Sequence, residues 1–274
     1  MKFKKINCGI TGHTGVLGSE LIKENLNFIR FKGDITKKKD LKNWLKNKNI
    51  DIIFHLAAVV PTNIVKKRFQ YANKVNYLGT KFLVDEIIKS KIKIKWFFFS
   101  STSHVYAFSK KKINEKFKTY PTSKYGLTKL RAELYLKKKL KKNKIPFCIG
   151  RIFSFTHKNQ SKEFVIPNLI SKALSKKKIL FNNTNHYRDF LSVRDICRAI
   201  KILFKNRATG IYNIGSGKKT SISHLINIIF SKYKKKYSIK NNSLTSCLIS
   251  DNKKIKKFNW RPKDNIHSII KELF

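Results

Sequence analysis

Thr11-Gly12-His13-Thr14-Gly15-Val16-Leu17-Gly18 is the stretch on which the fold turns. An apolar run, 6–11, precedes it, and a stretch with helical character, 19–25, follows it. A strand, a glycine-rich turn and a helix in that order are the setting a dinucleotide fingerprint requires. Gly12 permits the tight turn, Gly15 lets the backbone approach a pyrophosphate, and Gly18 lets the helix pack closely. The amides opening the helix then face the phosphates, which makes Thr14, Val16 and Leu17 candidates beside the three glycines. The spacing is G-x-x-G-x-x-G, not G-x-G-x-x-G. A glycine turn with a purely structural role is the competing explanation.

Outward from this turn, short apolar runs alternate with amphipathic stretches. Strands are expected at 28–31, 51–58, 95–100 and 146–152. Helices are expected at 39–48, 64–90 and 120–142. The run 51–58 is apolar without alternation, as in a strand buried on both faces. Leu127, Leu130, Leu134 and Leu140 form one apolar series at helical spacing. The pattern implies an α/β fold with a parallel sheet covered by helices. After about residue 153 the rhythm changes. Helices are expected at 167–175, 194–204, 221–230 and 265–274, with short strands at 179–181 and 211–214.

The chain has 274 residues, 62 Lys plus Arg against 15 Asp plus Glu, and a net charge of +47. A hydrophobic content of 41% excludes a disordered chain in spite of that charge. No apolar run approaches the roughly 18 residues that cross a membrane. Residues 1–5 are basic, but the apolar run after them is too short for a signal peptide. A soluble, cytoplasmic protein is expected. Only 9 of the 62 positive residues are Arg, the residue suited to reading bases and phosphates. Lys, Asn, Ile and Phe, all with A/T-rich codons, are abundant throughout. The charge therefore reads as compositional bias, with weak adhesion to anionic surfaces and no specific nucleic-acid partner. Cys8, Cys148, Cys197 and Cys247 are far apart, and the His residues show no metal-ligand spacing. No metal site is expected.

Five further stretches fall in a telling order: Asp51-Ile-Ile-Phe-His-Leu-Ala-Ala58, Asn76-Tyr-Leu-Gly79-Thr80, Ser100-Ser-Thr102-Ser-His-Val105-Tyr106, Tyr125-Gly-Leu-Thr-Lys129 and Arg188-Asp-Phe-Leu-Ser-Val-Arg-Asp195. Tyr212-Asn-Ile-Gly-Ser-Gly217 completes the series. With the glycine turn, they make the chain similar, over nearly its whole length, to the extended short-chain dehydrogenase/reductases. The resemblance is to the NAD(P)-dependent epimerase/dehydratase group that acts on nucleotide sugars. It implies a Rossmann-like doubly wound sheet with a smaller α/β C-terminal domain. Residues 1–152 and 189–213 would bind NAD(P), and 153–188 with 214–274 would bind substrate.

Y-x-x-x-K alone is weak here. Five such spacings occur, where chance gives about two. Position decides for Tyr125, which follows Thr102 at the family's distance and comes directly after Pro121-Thr122-Ser123-Lys124; Tyr120 is the alternative. Tyr and Lys four apart share a helix face. A nearby ammonium would lower the phenol pKa toward working pH, so Tyr125 could exchange a proton with the substrate as hydride moves. By resemblance, Lys129 would also hold the nicotinamide ribose, and Thr102 would hydrogen-bond the substrate oxygen.

The residues after Thr102 narrow the reaction. Relatives that dehydrate carry Asp-Glu there; this chain carries Ser103-His104, so dehydration is disfavoured. Relatives that epimerise carbons 3 and 5 carry Cys and His where His104 and Phe164 stand, so that pair is incomplete. His104 is either an acid/base or a partly buried neutral side chain. The resemblance assigns Asp34, Ile35, Leu56, Ala57, Ala58 and Asn76 to the dinucleotide. Arg30 and Lys32, with no acidic residue at the end of the second strand, lean toward NADP over NAD. Ser103, His104, Ser154, Val165 and Arg188 are substrate candidates, Arg188 for the diphosphate. An ion pair with Asp189 or Asp195 is the competing role for Arg188. The segment Arg151-Ile-Phe-Ser154-Phe-Thr-His157-Lys158 lacks the family's Asn and Gly-Pro, which leaves the sugar open. Relatives dimerise through the helices near 64–90 and 124–143, so a homodimer is expected. The leading expectation is a nucleotide-sugar 4-ketoreductase in surface polysaccharide synthesis. A 4-epimerase with tightly held NAD is the rival, and a non-catalytic dinucleotide-binding regulator or a nucleic-acid binder would be a different class.

Overall fold

The computed structural model describes residues 6–24, 26–46, 49–241 and 245–274. The expected helix ends at Asn25, Asn47 and Lys48, and the basic residues 1–5, lie outside them.

The first half of the chain runs β1 (Asn7–Thr11), α1 (Val16–Leu21), β2 (Asn27–Arg30), α2 (Lys38–Lys46) and β3 (Ile52–His55). Next come α3 (Thr62–Lys67), α4 (Phe69–Asn73), a π-helical turn (Lys74–Gly79) and α5 (Thr80–Lys89). β4 (Trp96–Thr102), α6 (Lys124–Lys142) and β5 (Phe147–Ile152) complete it. The second half contains β6 (Ser154–Thr156), α7 (Val165–Ala173), β7 (Ile179–Asn182), β8 (Tyr187–Arg188), β9 (Phe190–Ser192), α8 (Val193–Lys205) and β10 (Gly210–Ile214). β11 (Thr220–Ser221), α9 (Ile222–Lys232), β12 (Tyr237–Lys240), β13 (Cys247–Leu248), α10 (Lys253–Lys256) and α11 (Ile266–Lys271) follow.

Six strands form one parallel sheet in the order β10-β5-β4-β3-β1-β2. The order reverses between β1 and β3, and ligands of such sheets bind beyond the carboxyl ends there. Alternate residues serve opposite faces. Trp96 and Phe98 of β4 join Cys8, Ile10, Phe54 and residues of α8 in one core. Phe97 and Phe99 join Ile53 and residues of α2, α5 and α6 in the other. This two-sided burial is why these strands show apolar runs without alternation.

Several expectations differ from the structure, and the helix expected from 120 begins only at Lys124. α1 begins at Val16 and not at Ser19, so Gly18 lies inside the helix. The region expected as one helix at 64–90 is broken at Arg68 (φ −120°, ψ 50°) and is π-helical at Lys74–Gly79.

α7, β7, α9 and α11 pack around a separate core containing Leu169, Phe181, Leu225, Ile229, Phe230 and Ile270. The tail does not all stay with it. Ile255 and Trp260 pack into the core beneath the main sheet, and the Trp260 indole N–H donates to Asp195 O at 3.2 Å. The loop between β4 and α6 also reaches the second part of the chain. Ile113 N–H donates to Ile249 O, and Asp251 N–H donates to Ile113 O, each at 2.8 Å. No described helix is long and apolar enough to cross a membrane.

Candidate active site

The site is built where β4 ends and α6 begins. Thr102 closes β4, and its hydroxyl accepts the His104 amide at 3.2 Å, capping a short 3-10 turn at Ser103–Val105. Ser123 caps α6 by accepting the Gly126 amide at 3.0 Å. The two elements touch because of Gly126. A Cβ there would lie 2.1 Å from the His104 carbonyl oxygen, so any side chain would push α6 away. This contact brings Tyr125, Thr102 and His104 together. The Thr102 hydroxyl lies near enough to the Tyr125 phenol to oppose the rise in its pKa, and the His104 and Tyr125 rings meet edge to face at 5.8 Å.

Tyr125 and Lys129 share the buried face of α6. The Lys129 ammonium lies 4.1 Å from the centre of the Phe99 ring and, among the described residues, forms no salt bridge. Burial lowers its pKa to about 7, opposed by the Glu133 carboxylate one turn on. Tyr125 differs from the sequence expectation. Burial pushes its pKa upward and the Thr102 hydroxyl only opposes this, so the phenol is protonated near neutral pH. The reason is physical: burial disfavours the charged form of both partners, and a lysine that itself titrates near 7 is a weak perturber. His104 is likewise held neutral, its pKa lowered to about 4 by burial and then by the Arg188 charge.

Arg188 faces this group from β8. Its Nη1 donates to Tyr187 O at 2.8 Å and to Ser246 Oγ at 3.0 Å. Among the described residues it forms no salt bridge, so neither proposed ion pair is made. Asp189 instead accepts from Ser216 N (2.6 Å) and Oγ (2.6 Å), Gly217 N (2.9 Å) and Ser250 N (3.0 Å) and Oγ (2.6 Å). Asp195 accepts from Lys263 N (2.9 Å) and Asp264 N (3.1 Å) and holds the tail. A half-buried guanidinium with no salt bridge among the described residues, beside a neutral imidazole, suits an anionic ligand.

The glycine turn fits a dinucleotide. Gly12 has φ +71°, and a Cβ on it would lie 2.5 Å from Ala57 N. A Cβ on Gly18 would lie 2.2 Å from Gly12 O, whereas one on Gly15 meets nothing nearer than 3.5 Å. The turn is therefore compressed on the protein side and open at Gly15, where Thr14, Gly15 and Val16 are accessible to a ligand. Leu56, Ala57 and Ala58 follow β3 directly beside it. Arg30 ends β2 and is exposed, as is Lys32. The Asp34 carboxylate accepts from Thr36 N and Oγ1, both at 2.8 Å, and these bonds lower its pKa. Ile35 packs against Gly79. Asn76 is fully buried, and its amide is engaged by Val59 and Thr128. Ser154 is half-buried at the start of β6, and Val165 is exposed at the start of α7. Ser103 is buried within the 3-10 turn. The described residues contain no cluster of His, Cys, Asp or Glu that could hold a metal ion.

Sequence reasoning missed Gly126, although its place directly after Tyr125 was a signal. It also missed Glu133, four residues after Lys129 on the same face. Glu133 and Arg151 form a buried ion pair, Nη2 to Oε2 at 2.6 Å and Nε to Oε1 at 3.1 Å, and Ser101 donates to the same carboxylate. The pair braces α6 against β4 and β5 directly behind Thr102.

The family model described as GDP-mannose 4,6 dehydratase matches residues 11–273. The chain is 30% identical over 210 residues to the dTDP-D-glucose 4,6-dehydratase of Dictyostelium discoideum, covering 71% of this chain and 48% of that one. It is 32% identical over 203 residues to the UDP-glucose 4-epimerase of Mycoplasma genitalium, covering 65% of this chain and 59% of that one. It thus spans about half to three-fifths of the length of these two relatives. The solved structure of RMD from Pseudomonas aeruginosa complexed with NADPH superposes with a TM-score of 0.88 at 19% identity, over 98% of this chain and 97% of that one. With a glycine turn shaped for a dinucleotide after β1 and a Thr-Tyr-Lys group after β4 of the same sheet, the chain belongs to the NAD-dependent epimerase/dehydratase family of extended short-chain dehydrogenase/reductases that act on nucleotide sugars.

Proposed function

We propose that this protein is an NAD(P)H-dependent nucleotide-sugar 4-ketoreductase that supplies surface polysaccharide synthesis. One observation carries the reading: Tyr125 is buried close to Thr102 and His104, with Ser103 and His104, and no carboxylate, next along the chain after Thr102, and burial raises the phenol pKa. The glycine turn would hold a nicotinamide dinucleotide, which when bound would supply hydride chemistry at the sugar carbonyl carbon. Tyr125 then gives its proton to the oxygen of that carbon, and Thr102 hydrogen-bonds the same oxygen. Lys129, charged below about pH 7, contributes positive charge near the ribose. Arg188 takes the diphosphate, and neutral His104 accepts from a sugar hydroxyl. Dehydration needs a carboxylic acid and base, which Ser103 and His104 do not provide.

Arg30 and Lys32 favour NADPH, since a ribose 2′-phosphate is met by positive charge and an unmodified ribose lacks its usual acidic partner. The rival reading, a 4-epimerase, is supported by the Mycoplasma relative. A homodimer through α5 and α6 would cover exposed Leu134.

The test is to denature the purified protein, identify released nicotinamide nucleotide by mass spectrometry, and measure NADPH and NADH affinity. No retained nucleotide, with NADPH bound more tightly, is expected. Stoichiometric NAD would favour the epimerase, which must keep its reduced cofactor between half-reactions. Failure to bind either would remove the enzyme reading.

A further inference from the structure

His55 lies at the end of β3 and is fully buried, outside every role assigned so far. Its Nδ1 is 2.6 Å from Thr11 Oγ1 and its Nε2 is 2.8 Å from Thr80 Oγ1. Counting protons on a neutral imidazole fixes the direction of both bonds. The Thr80 hydroxyl donates to Asn76 O at 2.7 Å, so its oxygen must accept from His55. His55 therefore carries its proton on Nε2, and Nδ1 accepts from Thr11. Thr11 Oγ1 in turn accepts from Ala57 N at 3.3 Å.

The chain continues beyond Thr80. The Asn76 side chain accepts from Val59 N at 2.7 Å and donates to Val59 O at 2.9 Å and to Thr128 Oγ1 at 3.0 Å. The Thr128 hydroxyl donates to Tyr125 O at 2.8 Å. The links thus run from the residue before Gly12, through the backbone after β3, through the π-helical turn, to the carbonyl of Tyr125. Each hydroxyl proton is used once, and every direction is set by its neighbours. π-helical turns inside helices are frequent at functional sites, and this one carries Asn76 in the middle of the chain.

We propose that His55, as the neutral Nε2–H tautomer, is a positioning residue that sets the distance between the dinucleotide floor and Tyr125. The proposal rests on the reading of Tyr125 as the proton donor. The surroundings keep His55 neutral. Its ring lies 5.6 Å from that of Phe99, over which the Lys129 ammonium also sits, and burial with that charge lowers its pKa to about 3. A protonated His55 would place a second donor against Thr11 and repel Lys129. Because misplacing a reacting group by about 1 Å can cost roughly a hundredfold in rate, a rigid relay at this point has leverage on turnover.

Two measurements test this. The first needs no turnover. In the 15N-labelled protein, long-range 1H–15N correlation should show one imidazole as the Nε2–H tautomer, unchanged from pH 8 to pH 5 and absent in His55→Asn. An Nδ1–H pattern, or titration of that ring above pH 5, overturns the proposal. The second uses Thr80→Val, which keeps shape but removes both hydrogen bonds, and Thr80→Ser, which restores them. Thr80→Val should stay folded by circular dichroism and lower kcat roughly 10–100-fold, with KM for the nucleotide sugar within about threefold. Thr80→Ser should recover kcat. Unchanged kcat in folded Thr80→Val, or loss expressed only in KM, overturns the proposal. If no nucleotide sugar is turned over at all, the functional reading fails, while the tautomer measurement still decides the state of His55.

Discussion

Tyr125 is the residue on which the proposed chemistry depends, and its buried environment favours the protonated form. Held protonated, it is suited to give a proton to a developing alkoxide. Tyr125→Phe should lower kcat by roughly 10²–10⁴-fold with little change in NADPH affinity, measured by steady-state kinetics and binding titration. His55 and His104 make a second prediction. Both are neutral in the folded chain, with pKa values lowered to about 3 and about 4 by burial, against 6.5 for an unperturbed histidine. The unfolded chain binds these two protons as pH falls below 6.5, and the folded chain does not. The contribution of these two groups is therefore fully present above about pH 6.5 and is lost as pH falls through about 4 for His104 and about 3 for His55. The slope is about 1.4 kcal/mol per pH unit for each group. Urea unfolding at pH 6.5, 5.5 and 4.5 should show it, and His104→Gln should reduce the slope by up to half.

At the scale of elements, the site depends on joints as much as on strands. α6 reaches β4 only because position 126 lacks a side chain. β8 holds Arg188 in place because Asp189, next to it, is tied to Ser216, Gly217 and Ser250 in two other segments. Burial raises the Asp189 pKa, and these hydrogen bonds pull it back down. Asp189→Ala would strand the donors that it now satisfies. It should cost at least about 3 kcal/mol in urea unfolding and weaken nucleotide-sugar binding more than NADPH binding. Equal loss of both affinities would show that Asp189 supports the whole fold and not the substrate side. The loop 106–119 is a joint of another kind. It leaves the end of β4, exchanges backbone hydrogen bonds between Ile113 and the segment 249–251, and returns to α6.

Across the whole molecule the net charge of +47 acts on stability and association, not on the fold. Like-charge repulsion in the native state is relieved by screening, and the Debye length shortens from about 30 Å at 0.01 M salt to about 10 Å at 0.1 M. Raising salt from 10 to 300 mM should therefore raise the melting temperature and promote self-association, followed by thermal unfolding and sedimentation. A flat response would show that the lysines are far enough apart to be screened already.

The sequence by itself determined the sheet and the glycine turn, and it singled out Thr102, Tyr125, Lys129 and Arg188 as the candidates on which the proposed function rests. Each is carried by local chemistry: apolar runs for strands buried on both faces, glycines where a Cβ would clash, and residue types at fixed spacing. Only the tertiary structure decided the rest. Whether Tyr125 is protonated depends on burial by residues distant in sequence. Whether Arg188 is paired depends on where Asp189 and Asp195 point: Asp189 is tied to Ser216, Gly217 and Ser250, and Asp195 to Arg198 of its own helix and to Lys263 and Asp264. The His55 relay joins residues 11, 55, 76, 80 and 128, whose hydrogen-bond directions follow from shared partners and not from spacing. The break at Arg68 and the π-helical turn after it were likewise hidden, because an amphipathic run shows the same periodicity whether or not it is continuous.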